Sequence, residues 1–259
     1  MWGRRGWQVT GTLGLAFVVL FGAVQTWAMV VHQQAVSEHS YPVPVTRVEL
    51  DTGTAEVRIK PGAPGQVTVR QYLDWTVRKP TVSAVFEGDV LTVRMRCNQL
   101  LPAVDVGCGA SIDLEVPAAA SVSGGGTSGS LAVRDLTGDV RLAATSGAIR
   151  LTRLSGQVYA RTTSGELKAD GLSSAQVEAR AYSGAIDLGF VRPPRLVDVG
   201  ATSGSVSVGL PKGSRYAFDH NGGIGGERHI DPELADSTSP DTVRVVTTSG
   251  SVWIGVPAG

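Results

Sequence analysis

Residues 127–171 read TSGSLAVRD LTGDVRLAA TSGAIRLTR LSGQVYART TSGELKADG, and this run decides the fold. Gly129, Gly138, Gly147, Gly156 and Gly165 fall nine residues apart, Ser174 holds the next slot, and Gly184 follows one residue late. The turns alternate in kind. Thr127-Ser128-Gly129, Thr145-Ser146-Gly147, Thr163-Ser164-Gly165, Tyr182-Ser183-Gly184 and Thr202-Ser203-Gly204 form one series, and the Leu-Thr-Gly, Leu-Ser-Gly and Leu-Ser-Ser turns at 136, 154 and 172 form the other. The full repeat is therefore eighteen residues, the mark of stacked units that cannot bury an apolar face alone.

Between turns the residues alternate apolar and polar: Leu131 and Val133, Val140 and Leu142, Ile149 and Leu151, Val158 and Ala160, Leu167 and Ala169, Val177 and Ala179, Ile186 and Leu188. A period of two with one buried face is strand periodicity. Two strands per eighteen residues predict an all-β, two-sheet β-solenoid in which residue i lies over residue i+18. A meander of hairpins is the structural rival. Tight hairpins select Asn-Gly or Asp-Gly, which these turns lack, and two alternating turn types suit a coil with two unlike corners.

Working outward toward the N-terminus, residues 41–126 read as an irregular entry to the repeats, forming either its first coils or a small capping sheet. Val45 to Leu50, Ala55 to Lys60, Gln66 to Tyr72, Val82 to Phe86 and Val90 to Met95 are strand-like segments punctuated by Gly, Pro and Asp. No linker divides them from the repeats, so 41–259 is expected to be one domain. Cys97 and Cys108 are the only cysteines. A bridge between them would close the loop ahead of a Ser111 to Val116 strand, provided the compartment is oxidising.

Residues 1–10 read as a short cytoplasmic N-terminus. Residues 11–31 read as a transmembrane helix, since Leu13 to Val31 is almost wholly apolar and long enough to cross a bilayer. Arg4 and Arg5 precede it, and no Lys or Arg follows before Arg47. The positive-inside bias then keeps the N-terminus in the cytoplasm and exports the rest. A cleaved leader is the competing reading, but the run is longer than a usual signal core and Thr26-Trp27-Ala28 is a poor cleavage site. Residues 32–40, including His32 and His39, read as a polar stalk.

Toward the C-terminus the beat breaks after Pro211. Residues 219–241 read as a solvated loop insertion holding Asp219, His220, Glu227, Arg228, His229, Asp231, Glu233 and Asp236. The rhythm resumes with Val243 to Thr247 and the turn Thr248-Ser249-Gly250.

The recurring Thr-Ser-Gly turns before short valine-rich strands resemble the bacterial "putative adhesin" β-strand-repeat domain family. So do the cysteine pair ahead of a strand ending in Val116-Pro117 and the Ser239-Pro240 element before the final Thr247 to Gly250. The resemblance covers about 45–257 and implies an exported or membrane-anchored domain whose activity is not defined. Where that family often has Asp after the turn glycine, this chain has Ser130, Ala148, Glu166, Ala185, Ser205 and Ser251.

Several function classes lack their chemistry. With 23 basic and 23 acidic residues the chain has no basic field for nucleic acid. The turns lack the Gly-Gly-x-Gly-x-Asp pattern of calcium rolls. Gly124-Gly125-Gly126 precedes a strand and not a helix, so it is no phosphate loop. Outward residues such as Arg141, Glu178, Arg180 and Asp187 look scattered and mixed in sign, unlike the clustered carboxylates of β-helical glycan-active enzymes. The expected role is a non-enzymatic interaction or envelope-structural module for a protein or glycan partner, with no catalytic residue, cofactor or metal. The alternative is a polysaccharide-active enzyme using the 219–241 loop.

Overall fold

The computed structural model describes residues 33–76, 78–97, 108–219 and 227–257. Two sheets built largely of parallel strands face each other, and through the regular region the chain passes from one to the other at each turn. Through the regular region the strands of the second sheet are β8 (Ser121–Gly126), β10 (Val140–Ala144), β12 (Val158–Thr162), β14 (Gln176–Ser183) and β16 (Leu196–Ser203). Those of the first are β9 (Leu131–Arg134), β11 (Ile149–Thr152), β13 (Leu167–Leu172), β15 (Ile186–Phe190) and β17 (Val206–Gly209). Ile149 pairs in parallel with Leu131 on one side and Leu167 on the other. Val140, Val158 and Val177 form the matching row in the opposite sheet. These parallel registers are those of a β-solenoid and not of a hairpin meander.

Two differences from strict repetition appear. The repeat begins at Val122, which pairs with Val140, earlier than the Thr127 boundary expected. The step then lengthens, from eighteen residues between Ile149 and Leu167 to nineteen at Ile186 and twenty at Val206.

Every inward member of the alternating pairs is buried, including Leu131, Val140, Ile149, Ala160, Leu167, Ala169, Ala179 and Ile186. Large side chains stack in the first inward row of each strand. Ala160, Ala169 and Ala179 fill second-row positions, which lets the two sheets approach. Each large aliphatic side chain contributes about 1.5 to 3 kcal/mol through burial.

The two corners differ as the alternating turns imply. At the Thr-Ser-Gly corner the backbone N–H of Ser146 donates to the Thr127 carbonyl at 2.7 Å and that of Ser164 to the Thr145 carbonyl at 2.8 Å, extending the ladder around the turn. At the other corner Leu136, Leu154 and Leu172 are buried one above another. The residue before each leucine is left-handed: Asp135 at φ 60°, Arg153 at φ 52° and Gly171 at φ 68°.

Both ends of the stack are built out of sequence order. At the N-terminal end lie β1 (Gln33–Tyr41), β2 (Arg47–Asp51), β3 (Glu56–Pro61), β4 (Val67–Trp75), β5 (Thr81–Glu87), β6 (Val90–Arg96) and β7 (Cys108–Val116). The pair β2 and β3 sits between β8 and β9 on one side and β6 and β7 on the other, so Val48 pairs with both Val122 and Leu91. Antiparallel β4 and β1 finish the first sheet, and antiparallel β5 finishes the second. The five segments read as strands between 45 and 95 are all strands.

At the C-terminal end, β20 (Thr242–Ser249) and β21 (Val252–Gly255) continue the stack on β16 and β17. Outside them lie the short strands β18 (Ala217–Asp219) and β19 (Arg228–Ile230), followed in sequence by a 3-10 turn at Pro232–Leu234. The 219–241 stretch, expected as a solvated loop, is thus in part a cap. Tyr216 and Leu234 are fully buried, and the Tyr216 N–H donates to the Leu234 carbonyl at 2.8 Å. An open sheet end needs such a cover.

Residues 33–40, expected as a stalk, belong to β1 instead. Their polar composition fits an edge strand exposed on its outer face, paired residue for residue with β4 from Gln33 and Trp75 to Tyr41 and Val67. Residues 11–31, expected to span a membrane, lie outside the described residues. Among those described, no helix is long and apolar enough to cross a membrane.

Candidate functional site

Stacking at a near-constant step converts sequence scatter into rows. On the outward face of the second sheet, Arg141, Tyr159, Glu178, Asp198 and Arg244 are successive partners across five strands. The next outward row is Ala143, Arg161, Arg180, Gly200 and Val246. Thr163, Tyr182, Thr202 and Thr248 follow at the Thr-Ser-Gly corner. Residues of these three rows line an open groove of about 650 Å³.

The groove has a fixed floor. The Arg180 guanidinium donates to the Asp198 carbonyl and to its Oδ2, both at 2.8 Å, and lies 3.4 Å from Glu178 Oε1. Two hydrogen bonds from one planar group hold it flat. Gly200 makes room for this: a Cβ there would stand 3.0 Å from Arg180 Cδ. Arg141 lies over the Tyr159 ring at 5.4 Å, and Arg244 is 3.6 Å from the Asp219 carboxylate.

Arg161 differs from these cations. It is exposed, stands beside Arg180 in the ladder, and has no carboxylate within ion-pair distance among the described residues. Tyr182, which takes the threonine slot of the other turns, is 66% exposed. The arrangement offers a pinned planar cation, a free cation, two aromatic faces and a rim of hydroxyls.

The structure gives the expected residues other duties. Cys97 and Cys108 are disulfide-bonded with Cα atoms 6.1 Å apart, joining the end of β6 in one sheet to the start of β7 in the other. The Thr-Ser-Gly residues form one corner of the stack, and their glycines are close-contact positions: a Cβ on Gly165 would fall 2.0 Å from the Gly147 carbonyl oxygen. In the 219–241 segment, Asp231 accepts from the Glu233 N–H at 3.0 Å and caps the 3-10 turn. Asp236 accepts from the Thr238 N–H at 2.9 Å and its hydroxyl at 2.7 Å, bonds that hold its carboxyl below the usual range. His220 lies outside the described residues. No group of His, Cys, Asp and Glu able to hold a metal ion occurs among the described residues.

Sequence reading missed Tyr159, Arg161, Tyr182, Asp198 and Arg244 as neighbours. Counting steps of nineteen and twenty residues brings Tyr159 beside Glu178 and Glu178 beside Asp198, but Arg244 lies forty-six residues beyond Asp198, where no such count reaches it.

Comparison with known proteins gives a family match over residues 110–254, to Toastrack DUF4097. No curated protein matches the sequence. Among solved structures, the chain is similar to a "putative adhesin" from Bacteroides fragilis, with 12% identity and a TM-score of 0.49 over 85% of this chain and 97% of that one. A "putative adhesin" from Parabacteroides distasonis has 12% identity and a TM-score of 0.46 over 86% and 97%. A "putative cell adhesion protein" from Clostridium sporogenes has 10% identity and a TM-score of 0.41 over 87% and 100%.

Proposed function

The chain belongs to the Toastrack DUF4097 family, and from that premise we propose that it is a membrane-anchored, extracytoplasmic β-repeat module that works by binding, as an adhesin-like interaction element of the cell envelope. Residues 11–31 are the anchor, oriented by Arg4 and Arg5, and the domain from 33 onward faces outward. The Cys97–Cys108 bridge suits an oxidising compartment. The observation that carries the binding role is the groove on the second sheet, whose carboxylates Glu178 and Asp198 are committed to Arg180 while aromatic and hydroxyl groups face solvent. The partner is a protein or a glycan of the envelope.

Two measurements test this. Intact chain should sediment with membranes while its β-domain remains open to external protease; a soluble product starting near Met29 overturns the anchor. Purified chain should be retained on isolated envelope material. Thr202→Trp, which fills the groove, should abolish retention, whereas Ser207→Trp on the outward face of the other sheet should not. Equal retention of the two variants overturns the groove as the binding surface.

A further inference from the structure

The groove's chemistry narrows its occupant. Among the charges facing it, Arg180 is neutralised by Asp198 and Glu178, and Arg244 by Asp219. Arg161 is left over. Like charges directly opposite in a ladder repel, and Arg161 and Arg180 are register partners. Arg180 is held down over Gly200, and Arg161 is exposed, with no carboxylate within ion-pair distance among the described residues.

The groups around Arg161 are those that grip a sugar ring. The ring of Tyr182 stands exposed at the corner, and Tyr159 lines the same groove with one face already covered by Arg141. Thr163, Thr202 and Thr248 bring hydroxyls to the rim. Aromatic faces pack on the C–H faces of pyranose rings, hydroxyls pair with sugar hydroxyls, and a free guanidinium matches a carboxylate in bidentate fashion. A second cleft of about 450 Å³ runs from Arg161 and Thr163 along Ala143, Thr145, Gly125 and Thr127 and ends at Asp51, whose carboxylate is paired with Arg96 at 2.7 Å. Small residues there leave the path open past Arg161, so the bound molecule can extend beyond one ring.

We infer that the groove binds a carboxylated glycan, a chain of sugar rings bearing uronate groups, with Arg161 taking the carboxylate and Tyr182 stacking on the neighbouring ring. This rests on the binding reading given above and specifies its ligand.

The test uses the intact chain and two probes, oligogalacturonate and the neutral oligogalactose of equal length. Oligogalacturonate should bind, with affinity falling as salt rises, and the neutral oligomer should bind at least about tenfold more weakly, the factor expected for one charge-assisted contact. Arg161→Gln should remove that preference by lowering oligogalacturonate affinity to the level of the neutral oligomer. Tyr182→Thr should weaken both probes, and Arg150→Gln on the other sheet should alter neither. Each variant should keep the wild-type melting temperature, since all three altered side chains are exposed. Equal affinity for the two probes, or a preference that survives Arg161→Gln, overturns the inference. Loss of envelope retention in Thr202→Trp together with indifference to uronate would overturn this ligand alone and leave the binding role standing.

Discussion

A side chain at Gly147 would place its Cβ 1.9 Å from the carbonyl oxygen of Gly129 in the adjacent coil. The same approach recurs along that corner, at 2.0 Å for Gly165 over Gly147 and 1.9 Å for Gly204 over Gly184. At Gly147 and Gly165 it is crowding by the neighbouring coil, not φ, that excludes any side chain.

Gly147→Ala should therefore destabilise the domain by at least about 2 kcal/mol, because backbone has to shift in two coils. Gly189→Ala, whose nearest contact would be an ordinary 3.7 Å, should cost under about 1 kcal/mol. Urea midpoints compare the two, and equal losses would contradict the close-contact account.

Ile149 is fully buried between Leu131 and Leu167. Ile149→Ala should cost about 2 to 5 kcal/mol by leaving a cavity. Ile149→Asp should unfold the repeats through an unpaired buried charge. The adjacent Arg150 is exposed, and Arg150→Ser should leave the denaturation midpoint where it was.

The Cys97–Cys108 bridge ties the two sheets together at the N-terminal end. Replacing both by Ser should lower stability by about 2 to 3 kcal/mol, on a chain-entropy estimate for so short a loop. The β signature in circular dichroism should survive. Alkylation of native protein before reduction should label neither cysteine; two labels would refute the bridge.

Arg153 donates to both carboxylate oxygens of Asp135, at 2.6 and 2.8 Å, and this hydrogen bonding holds the Asp135 carboxyl below its ordinary value of 3.8. A lowered folded-state pKa gives stability that is present above 3.8 and disappears as pH falls through the folded value. Asp135→Asn removes the charge while keeping a residue that tolerates left-handed backbone. Melting temperatures of wild type and variant should differ at neutral pH and converge in acid, once the pH has fallen below 3.8 and through the folded value. A gap that stays constant down to acid would show that the pair does not carry the effect.

The repeat was legible because its information is local in period: Leu131, Ile149 and Leu167 can be aligned by counting. The ends were not. Val48 finds its partner at Val122, seventy-four residues on with no shared beat, and nothing in residues 33–41 distinguishes a solvated connection from an edge strand whose outer side is polar. The cap at the C-terminal end hid for a related reason, since strands of three residues such as Arg228–Ile230 are too short to show alternation. The groove escaped because its row is composed of Tyr159, Glu178 and Asp198, mixed in charge and drawn from coils whose step changes from nineteen to twenty. Their proximity is a property of stacking, visible only once the register is known.

The out-of-order ends change how the chain must assemble and how it comes apart. A simple coil can wind from its first turn onward as it emerges, each unit templating the next. Here β2 and β3 have to wait, their places on both sides empty, until Leu91 to Val133 has been delivered. The final pair, β20 and β21, has to enter between a finished coil and a segment that preceded it in synthesis. The stack cannot fray one unit at a time from its C-terminal strand, because that strand lies under β19 and beside β17, and freeing it breaks two neighbours at once. The ends are thereby latched, and unwinding has to begin with the outer caps and not with the regular coils that carry the groove.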